Sequence, residues 1–344
     1  MKRGIALLLL AGAALAVCAA TPLPDAPHSA LDPMGPQAAD IERLWRLFVL
    51  VCSVVFGAIL AVLLWILWRT PRAAEGSPAL RPDAAAPETR SRRNVVRAVM
   101  ASTVLLLFLI LASVFTDRAI GRIPPPDALT IEVTAHQWWW TVRYPQGSPS
   151  DLMETANEIH IPTGRTVVVK LNSDDVIHSL WIPNLAGKKD LIPGRTALMN
   201  FQADKPGVYR GQCAEFCGYQ HALMGLLVVA HTPEEFEGWL QSQRKPAADP
   251  GDPRAQRGQQ LFQSLSCALC HTVQGTQAGG KRAPDLTHLA SRRTLAAGTL
   301  PNTAAQLSAW IADPQKFKPG TNMPATPMSA QDLQAIVAYL ETLK

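Results

Sequence analysis

The chain has 344 residues, room for about two domains by the usual length prior. Hydrophobic residues make up 48% of it, and many of the arginines behind its net charge of +5 lie in one short segment between two apolar runs. The sequence has no basic–aromatic groove pattern and no nucleic-acid-binding motif, so we expect no nucleic-acid partner. Four of the six cysteines form two close pairs beside histidines, which favours metal or cofactor chemistry over a disulfide framework.

The N-terminus has the composition of a secretory signal peptide. Lys2 and Arg3 precede an apolar run that is too short to span a bilayer and is followed by small residues. We therefore predict that residues 1–20 are a signal peptide. The stretch "LAVC" is also a weak lipoprotein-type signal, which leaves lipidation of Cys18 as an alternative.

Two long uncharged runs follow, and they predict a transmembrane helical hairpin over residues 21–122. The spans are expected at about 44–68 and 98–116, since about 20 apolar residues cross a hydrocarbon core about 30 Å thick. The loop between them is rich in arginine, which places it in the cytoplasm. We therefore expect a multi-pass protein of the bacterial plasma membrane, in contact with lipid, whose later domains face the periplasm.

Residues 127–232 alternate short apolar segments with breakers such as Pro162-Thr-Gly, which predicts an all-β sandwich or barrel. The predicted strands are "LTIEVTA", "NEIHIP", "RTVVVKL", "VIHSLWIP", "TALMNFQA", "GVYRGQC" and "LMGLLVVAH". Residues 233–252 predict a short helix, with Thr232 as its N-cap, and a linker. Residues 253–344 begin and end with helical patterns and predict a small all-α domain.

One cluster of soft ligands lies at the end of the β-rich region. It is the motif C-x-x-x-C-x-x-x-H-x-x-M, formed by Cys213, Cys217, His221 and Met224. His178 lies in an earlier predicted strand, an arrangement typical of copper electron-transfer sites. Two thiolates can bridge two coppers, with one imidazole for each, Met224 as a weak ligand and the Glu215 carbonyl as another. A disulfide between the cysteines and a zinc site are the alternatives, although structural zinc usually takes cysteine and histidine alone.

The stretches "VIHSLWIPNL", "KKDLIPGR", "GVYRGQCAEFCGYQHALM" and "HQWWWTVRY" resemble the cytochrome c oxidase subunit II family over roughly residues 35–240. The resemblance implies a cupredoxin-like domain with binuclear copper A, held by the ligands named above. It also implies that the Glu215 side chain reaches a magnesium ion at the interface with subunit I. Trp138 matches the family's electron-entry tryptophan, while Trp139 and Trp140 are expected to pack. The family's glutamate before the second span is missing here, which puts a proton-path role for this subunit in doubt.

The second cysteine pair lies in "CALCH", which fits the c-type haem attachment motif C-x-x-C-H. Cys267 and Cys270 would form the thioethers, and His271 would be the proximal iron ligand. A thioredoxin-like motif lacks its βαβ context here, and a zinc site lacks a second pair of ligands.

The sixth haem ligand is expected from a downstream methionine, because a methionine–histidine pair suits an electron carrier. Met323 lies in a loop rich in proline and glycine, whereas Met328 directly precedes the last helix, so we predict Met323. The domain resembles small class I cytochromes c. On that resemblance, Gly258 and Phe262 of the first helix should cross the last helix near Tyr339.

These patterns predict an electron-transfer subunit of a respiratory cytochrome c oxidase. Electrons would pass from a cytochrome c or another donor to haem c, then to copper A, then to subunit I. Oxygen reduction to water, coupled to proton translocation, would occur there, since this chain lacks the many helices and histidines which that step needs. Subunit III is a further expected partner. The alternatives are a tethered carrier that serves another terminal reductase and a non-redox copper-assembly module.

Overall fold

The computed structural model describes residues 28–69, 88–145 and 152–344. The predicted signal peptide, Cys18 and most of the arginine-rich loop lie outside the described residues. The described chain forms two compact units. Ala39–Ile123 is one unit, and Pro124–Lys344 forms the other together with residues 28–38.

The first unit contains two long helices, α1 (Pro36–Arg69) and α2 (Glu88–Ile120). With 34 and 33 residues they are each about 50 Å long at about 1.5 Å per residue, which exceeds a hydrocarbon core of about 30 Å. Their apolar side chains are almost all exposed. Both helices are therefore long and apolar enough to cross a membrane, and each continues beyond the predicted apolar span.

The second unit begins with a sandwich of two five-stranded sheets. One sheet has the strand order β3-β2-β1-β5-β8 and the other β4-β10-β9-β6-β7. The strands are β1 (Leu129–His136), β2 (Trp139–Tyr144), β3 (Met153–Ala156), β4 (Glu158–Pro162), β5 (Val167–Ser173), β6 (His178–Trp181), β7 (Lys188–Leu191), β8 (Ala197–Phe201), β9 (Gly207–Cys213) and β10 (Gly225–His231). The pairs β1–β5 and β4–β10 are parallel, and the other pairs are antiparallel.

The seven predicted strands are present, and the predicted cupredoxin-like sandwich is confirmed. Alternate residues of β1 are buried, as expected for a strand with one face on the core. Three strands were not predicted: β2, β3 and β7. β2 continues the tryptophan run, and β7 is the charged segment "KKDL", which lacks the apolar alternation of a typical strand.

The sandwich is followed by α3 (Pro233–Gln243), whose Phe236 and Leu240 pack into the sandwich core. A helical domain comes next, with the helices α4 (Pro253–Ser264), α5 (Cys267–Cys270), α6 (Ala304–Ala312), α7 (Pro314–Phe317) and α8 (Ala330–Leu340). The all-α prediction needs one small correction, since β11 (Thr294–Leu295) and β12 (Leu300–Pro301) form a short hairpin. α3 begins with a complete capping box formed by Thr232 and Glu235.

α4 crosses α8 closely at Gly258, where a Cβ would lie 1.9 Å from the carbonyl oxygen of Ala335. One turn on, the rings of Phe262 and Tyr339 meet edge to face with centroids 5.8 Å apart. The predicted crossing of the first and last helices near Tyr339 is confirmed.

Candidate metal centre and haem cavity

The strands β6, β9 and β10 bring the predicted metal ligands to one end of a sheet. His178 is the first residue of β6, and Cys213 is the last residue of the neighbouring β9. Glu215, Cys217, His221 and Met224 lie in the loop between β9 and β10. The hairpin register, in which Gly225 pairs with Gln212, closes this loop over the ends of the strands.

The six predicted ligand groups lie together: the sulfurs of Cys213 and Cys217 are 3.8 Å apart, and the other four groups surround them. From Cys213 Sγ the distances are 3.8 Å to His178 Nδ1 and 3.2 Å to the Glu215 carbonyl oxygen; from Cys217 Sγ they are 3.7 Å to His221 Nδ1 and 3.8 Å to Met224 Sδ. Both cysteines are free, and their sulfurs are much farther apart than the roughly 2.05 Å of a disulfide. Two thiols, two imidazoles, a thioether and a carbonyl form a donor set that suits copper better than zinc.

The cluster is sheltered from water, since Cys213, Cys217, His178 and Met224 are all buried. Hydrogen bonding from Cys217, together with bonds to His178 and to backbone groups, lowers the pKa of Cys213 to about 3 against the effect of burial. The same contact and burial raise the pKa of Cys217. The two neighbouring sulfurs therefore do not readily ionise together, and a cation is needed to hold both as thiolates.

Asp175 supports the cluster and was not predicted. Its carboxylate lies 2.8 Å from His178 Nε2, so the other ring nitrogen, Nδ1, faces the sulfurs. Burial opposes protonation of His178, but the bonds to Asp175 and Cys213 raise its pKa. Metal-binding histidines usually donate their second N–H to a carboxylate or carbonyl. Asp175, three residues before His178, could therefore have been predicted from the sequence as the partner of this histidine.

The side-chain carboxylate of Glu215 lies 3.3 Å from Lys188 Nζ. This contact gives no support for the predicted magnesium ion. The magnesium site stays a prediction.

A cavity of about 540 Å³ lies beside the second cysteine pair. The predicted haem residues all line it: Cys267, Cys270, His271 and Met323. The remaining wall is largely apolar, with Phe262, Leu286 and Ile336 among its members. This volume is typical of a cofactor pocket, about 300–1,000 Å³, and the lining fits a covalently attached haem.

His271 is oriented by a backbone contact of 2.7 Å between its Nδ1 and the carbonyl oxygen of Pro284. Nε2 is thereby left as the nitrogen available to an iron ion. Burial lowers the pKa of His271, which favours the neutral imidazole that metal binding needs. Met323 and Met328 both line the cavity, so the choice of Met323 stays a prediction.

Trp138 belongs to both sites. Its ring is buried and lines the haem cavity, and its indole Nε1–H donates to the carbonyl oxygen of Cys217 at 2.9 Å. Gln137 donates to the same oxygen at 2.8 Å. Gly218 has φ +111°, and a Cβ there would lie 3.0 Å from the Trp138 ring, so glycine permits the contact.

The neighbouring tryptophans have other surroundings. Trp139 stacks on His136 with ring centroids 4.3 Å apart, although it also reaches the cavity wall. Trp140 is fully buried in the sandwich core and meets His178 edge to face. These contacts are consistent with packing as the main role of Trp140.

Two family models match the chain. One is described as "Cytochrome C oxidase subunit II, periplasmic domain" and matches residues 129–231; the other, "Cytochrome c", matches residues 255–344. Cytochrome c oxidase subunit 2 of Alkalihalophilus pseudofirmus is 34% identical over 330 residues, which cover 92% of this chain and 91% of that protein. The subunit 2 of Bacillus sp. (strain PS3) is 30% identical, covering 70% of this chain and 71% of that one.

Among solved structures, the periplasmic domain of cytochrome oxidase subunit II of Bradyrhizobium japonicum aligns at 31% identity with a TM-score of 0.33. The alignment covers 36% of this chain and 97% of that one.

Proposed function

This chain belongs to the cytochrome c oxidase subunit 2 family, and we propose that electrons enter it at the helical domain, cross to the β-sandwich and leave for subunit I. The match to a cytochrome c model makes it an electron-transfer subunit with its own haem-type domain. The observation that carries the proposed route is the shared wall of the two sites. Trp138 lines the haem cavity and donates to the carbonyl of Cys217 in the metal cluster.

Six residues of the sandwich would hold copper A: His178, Cys213, Glu215 through its carbonyl, Cys217, His221 and Met224. When bound, two copper ions would supply a centre that can take up one electron and share it. The protein contributes a buried donor set already within 3.2–3.8 Å, which keeps water out and limits rearrangement on reduction. Asp175 holds the ring of His178 in the orientation that the site needs.

In the helical domain, Cys267 and Cys270 would attach haem c, and His271 and Met323 would hold its iron. The haem supplies a one-electron iron centre. The carbonyl of Pro284 orients His271, and the apolar wall excludes water from the iron. Trp138 closes the side of the cavity that faces the sandwich and offers an aromatic bridge toward Cys217.

The two apolar helices anchor the chain in a membrane, and the family model that matches the sandwich describes an extracytoplasmic domain. In the proposed arrangement this membrane is the bacterial plasma membrane, with both large domains on the periplasmic side. Subunits I and III are the partners within the complex, and a cytochrome c or similar protein is the donor. Oxygen reduction and proton translocation take place outside this chain, and magnesium at Glu215 would lie at the contact with subunit I. Family membership favours this oxidase role over a carrier for another reductase.

The route is tested by Trp138→Phe, with Trp139→Phe as the matched control on the same cavity wall. An electron is injected at the haem with a photoreductant, and its arrival at the copper is followed by absorption. We expect transfer in the Trp138 variant to slow by at least about tenfold, equivalent to about 1.4 kcal/mol of barrier, with both absorption spectra retained. Equal rates in the Trp138 variant and the wild type would disprove the route through Trp138.

A further inference from the structure

Two ionisable side chains cross the contact between the sandwich and the helical domain in opposite directions. Lys318 reaches from the helical domain into the sandwich and is 2% exposed, and Glu158 extends from β4 toward the helical domain and is 1% exposed. Burial of a charged group is costly unless hydrogen bonds replace its water. Both groups therefore need specific hydrogen-bond partners, and most of these lie in the opposite domain.

Lys318 follows α7 directly, and its ammonium group donates three hydrogen bonds to backbone carbonyls. The acceptors are Trp138 at 3.1 Å, Leu223 at 2.9 Å and Ala296 at 3.2 Å. An ammonium has three hydrogens, so all of them are used. Burial lowers the pKa of Lys318 to about 8, which leaves it mainly charged at neutral pH.

Two of these carbonyls belong to the elements that build the metal site. Trp138 bonds Cys217 through its indole, and Leu223 directly precedes Met224 in the ligand loop. Asn322 strengthens the same contact, since its side-chain amide donates to the carbonyl of Gln137 at 3.1 Å. The segment that carries Lys318 is also the one that leads to Met323 in the haem cavity wall.

The contact between the two domains also includes hydrogen bonds to Glu158. The Glu158 carboxylate accepts the backbone N–H groups of Arg293 at 2.7 Å and Thr294 at 3.2 Å. The turn after Thr294 holds Ala296 and Ala297 at φ +51° and +57°, a region that alanine rarely adopts. This strained turn presents the Ala296 carbonyl to Lys318 and the Ala297 carbonyl to the N–H of Gly225, at 2.9 Å.

We infer that Lys318 is a positioning residue for electron transfer between the two domains, because its ammonium ties the haem-bearing domain to Trp138 and to the metal-ligand loop. The inference rests on the proposed function. Electron transfer would then occur across a fixed contact between the helical domain and the sandwich, without a preceding diffusional search by the helical domain. Lys318 itself would take no electron; the one electron given up by a bound ferrous haem would be the one taken up by the bound copper pair.

The test compares Lys318→Met with Lys316→Met in the complete oxidase complex. Lys316 lies in α7, two residues before Lys318, and its side chain is exposed, so the control makes the same charge change outside the contact. Docking is measured by hydrogen exchange at the amides of Gly225, Arg293 and Thr294. We expect exchange in the Lys318 variant to be at least about tenfold faster, because one lost charge-assisted hydrogen bond changes an equilibrium by about that factor.

A second measurement follows the electron injected at the haem, in buffers of rising viscosity. The wild type and the Lys316 variant should transfer at a rate independent of viscosity. The Lys318 variant should be slower and should slow further with viscosity, since its domain must first find the contact by diffusion. The midpoint potentials of both centres are measured in each variant so that rates are compared at known driving force.

Three outcomes separate the possibilities. Wild-type exchange and transfer in the Lys318 variant would overturn the inference. Loss of the copper absorption in that variant would also overturn it, by assigning Lys318 to folding of the sandwich. A wild-type protein that lacks the copper or haem absorption would instead refute the proposed function on which the inference rests.

Discussion

The metal cluster and the haem cavity are built in different ways. In the cluster, two cysteine sulfurs lie 3.8 Å apart, and four further donor groups from a neighbouring strand and one loop lie within 3.2–3.8 Å of them. The haem site is a volume of about 540 Å³ whose wall comes from both the helical domain and the sandwich. Metal binding in the cluster therefore depends on the positions of single donor atoms. Haem binding in the cavity depends instead on the cavity's shape, on covalent attachment and on the docking of two domains. Substitutions should separate these two kinds of dependence.

The largest effect is expected from Cys217→Ser, because Cys217 contacts Cys213, His221 and Met224. A serine hydroxyl is a hard, weakly acidic ligand and cannot replace a bridging thiolate. The oxidised protein should lose the electron-spin signal of one electron shared over two coppers, and its copper content should fall below two per chain. Spin resonance and metal analysis measure these changes.

The matched control is Cys52→Ser, a cysteine exposed on α1. It should keep two coppers and the shared-spin signal. The haem absorption should be unchanged in both variants, because the haem cysteines lie in the helical domain. A Cys217 variant that retained the shared spin would show that the two sulfurs do not bridge.

A smaller change is expected from Met323→Ala. A thioether ligand favours ferrous iron, so its loss should lower the haem potential and remove the weak sulfur-to-iron band near the red end of the spectrum. Met328→Ala is the comparison on the same wall and should cost about 1 kcal/mol of stability while keeping the band. Redox titration and absorption spectra measure both effects. The reverse pattern, with the band lost only in the Met328 variant, would assign the iron ligand to Met328.

The smallest expected effect is a pH dependence of stability caused by His160 in β4 and His231 at the end of β10. One ring nitrogen of His160 lies 2.8 Å from one of His231. His160 also stacks on Trp239. Burial is the main cause that lowers the pKa of both histidines. Arg293 lowers both further and Arg292 lowers that of His160, whereas Glu158 raises the pKa of His160 and Glu235 that of His231.

A histidine with a lowered pKa in the folded state binds its proton more readily when unfolded. Its contribution to stability is therefore complete above about pH 6.5 and is lost as the pH falls below that value, by less than about 1.4 kcal/mol per pH unit for each histidine. Thermal melting of the wild type between pH 7.5 and 5.5 should show this loss. His231→Gln should make the dependence shallower, and an unchanged slope would exclude this pair as its source.

The sequence predicted the part of the fold that leaves a local pattern. Of the ten strands in the described sandwich, seven follow from apolar segments between proline and glycine breakers, and the ligand motif follows from spacing within the loop after β9. β7 was missed because its lysines are exposed at a sheet edge and give no apolar alternation. Asp175 was missed although it lies only three residues from His178.

The contact between the domains could not be predicted from local patterns. Lys318 and Trp138 lie 180 positions apart, and nothing near either residue indicates the other. From the sequence alone, Glu158 is an ordinary polar residue of a strand. Its role becomes visible only with its partners, the backbone N–H groups of Arg293 and Thr294. Such buried charges are recognised only when tertiary structure shows which backbone groups replace their water.

The connection between the domains gives a final consequence. Nine residues separate Gln243 from Pro253, and they are held to the helical domain, since the N–H of Ala247 donates to the Gln274 carbonyl. Short linkers of this kind keep the joined partner at an effective concentration of roughly millimolar or more. The helical domain is therefore an electron donor whose local concentration at the sandwich does not change when the protein is diluted. Turnover limited by this internal step should be independent of protein concentration and nearly insensitive to salt, whereas delivery by a separate carrier falls as ionic strength screens its attraction.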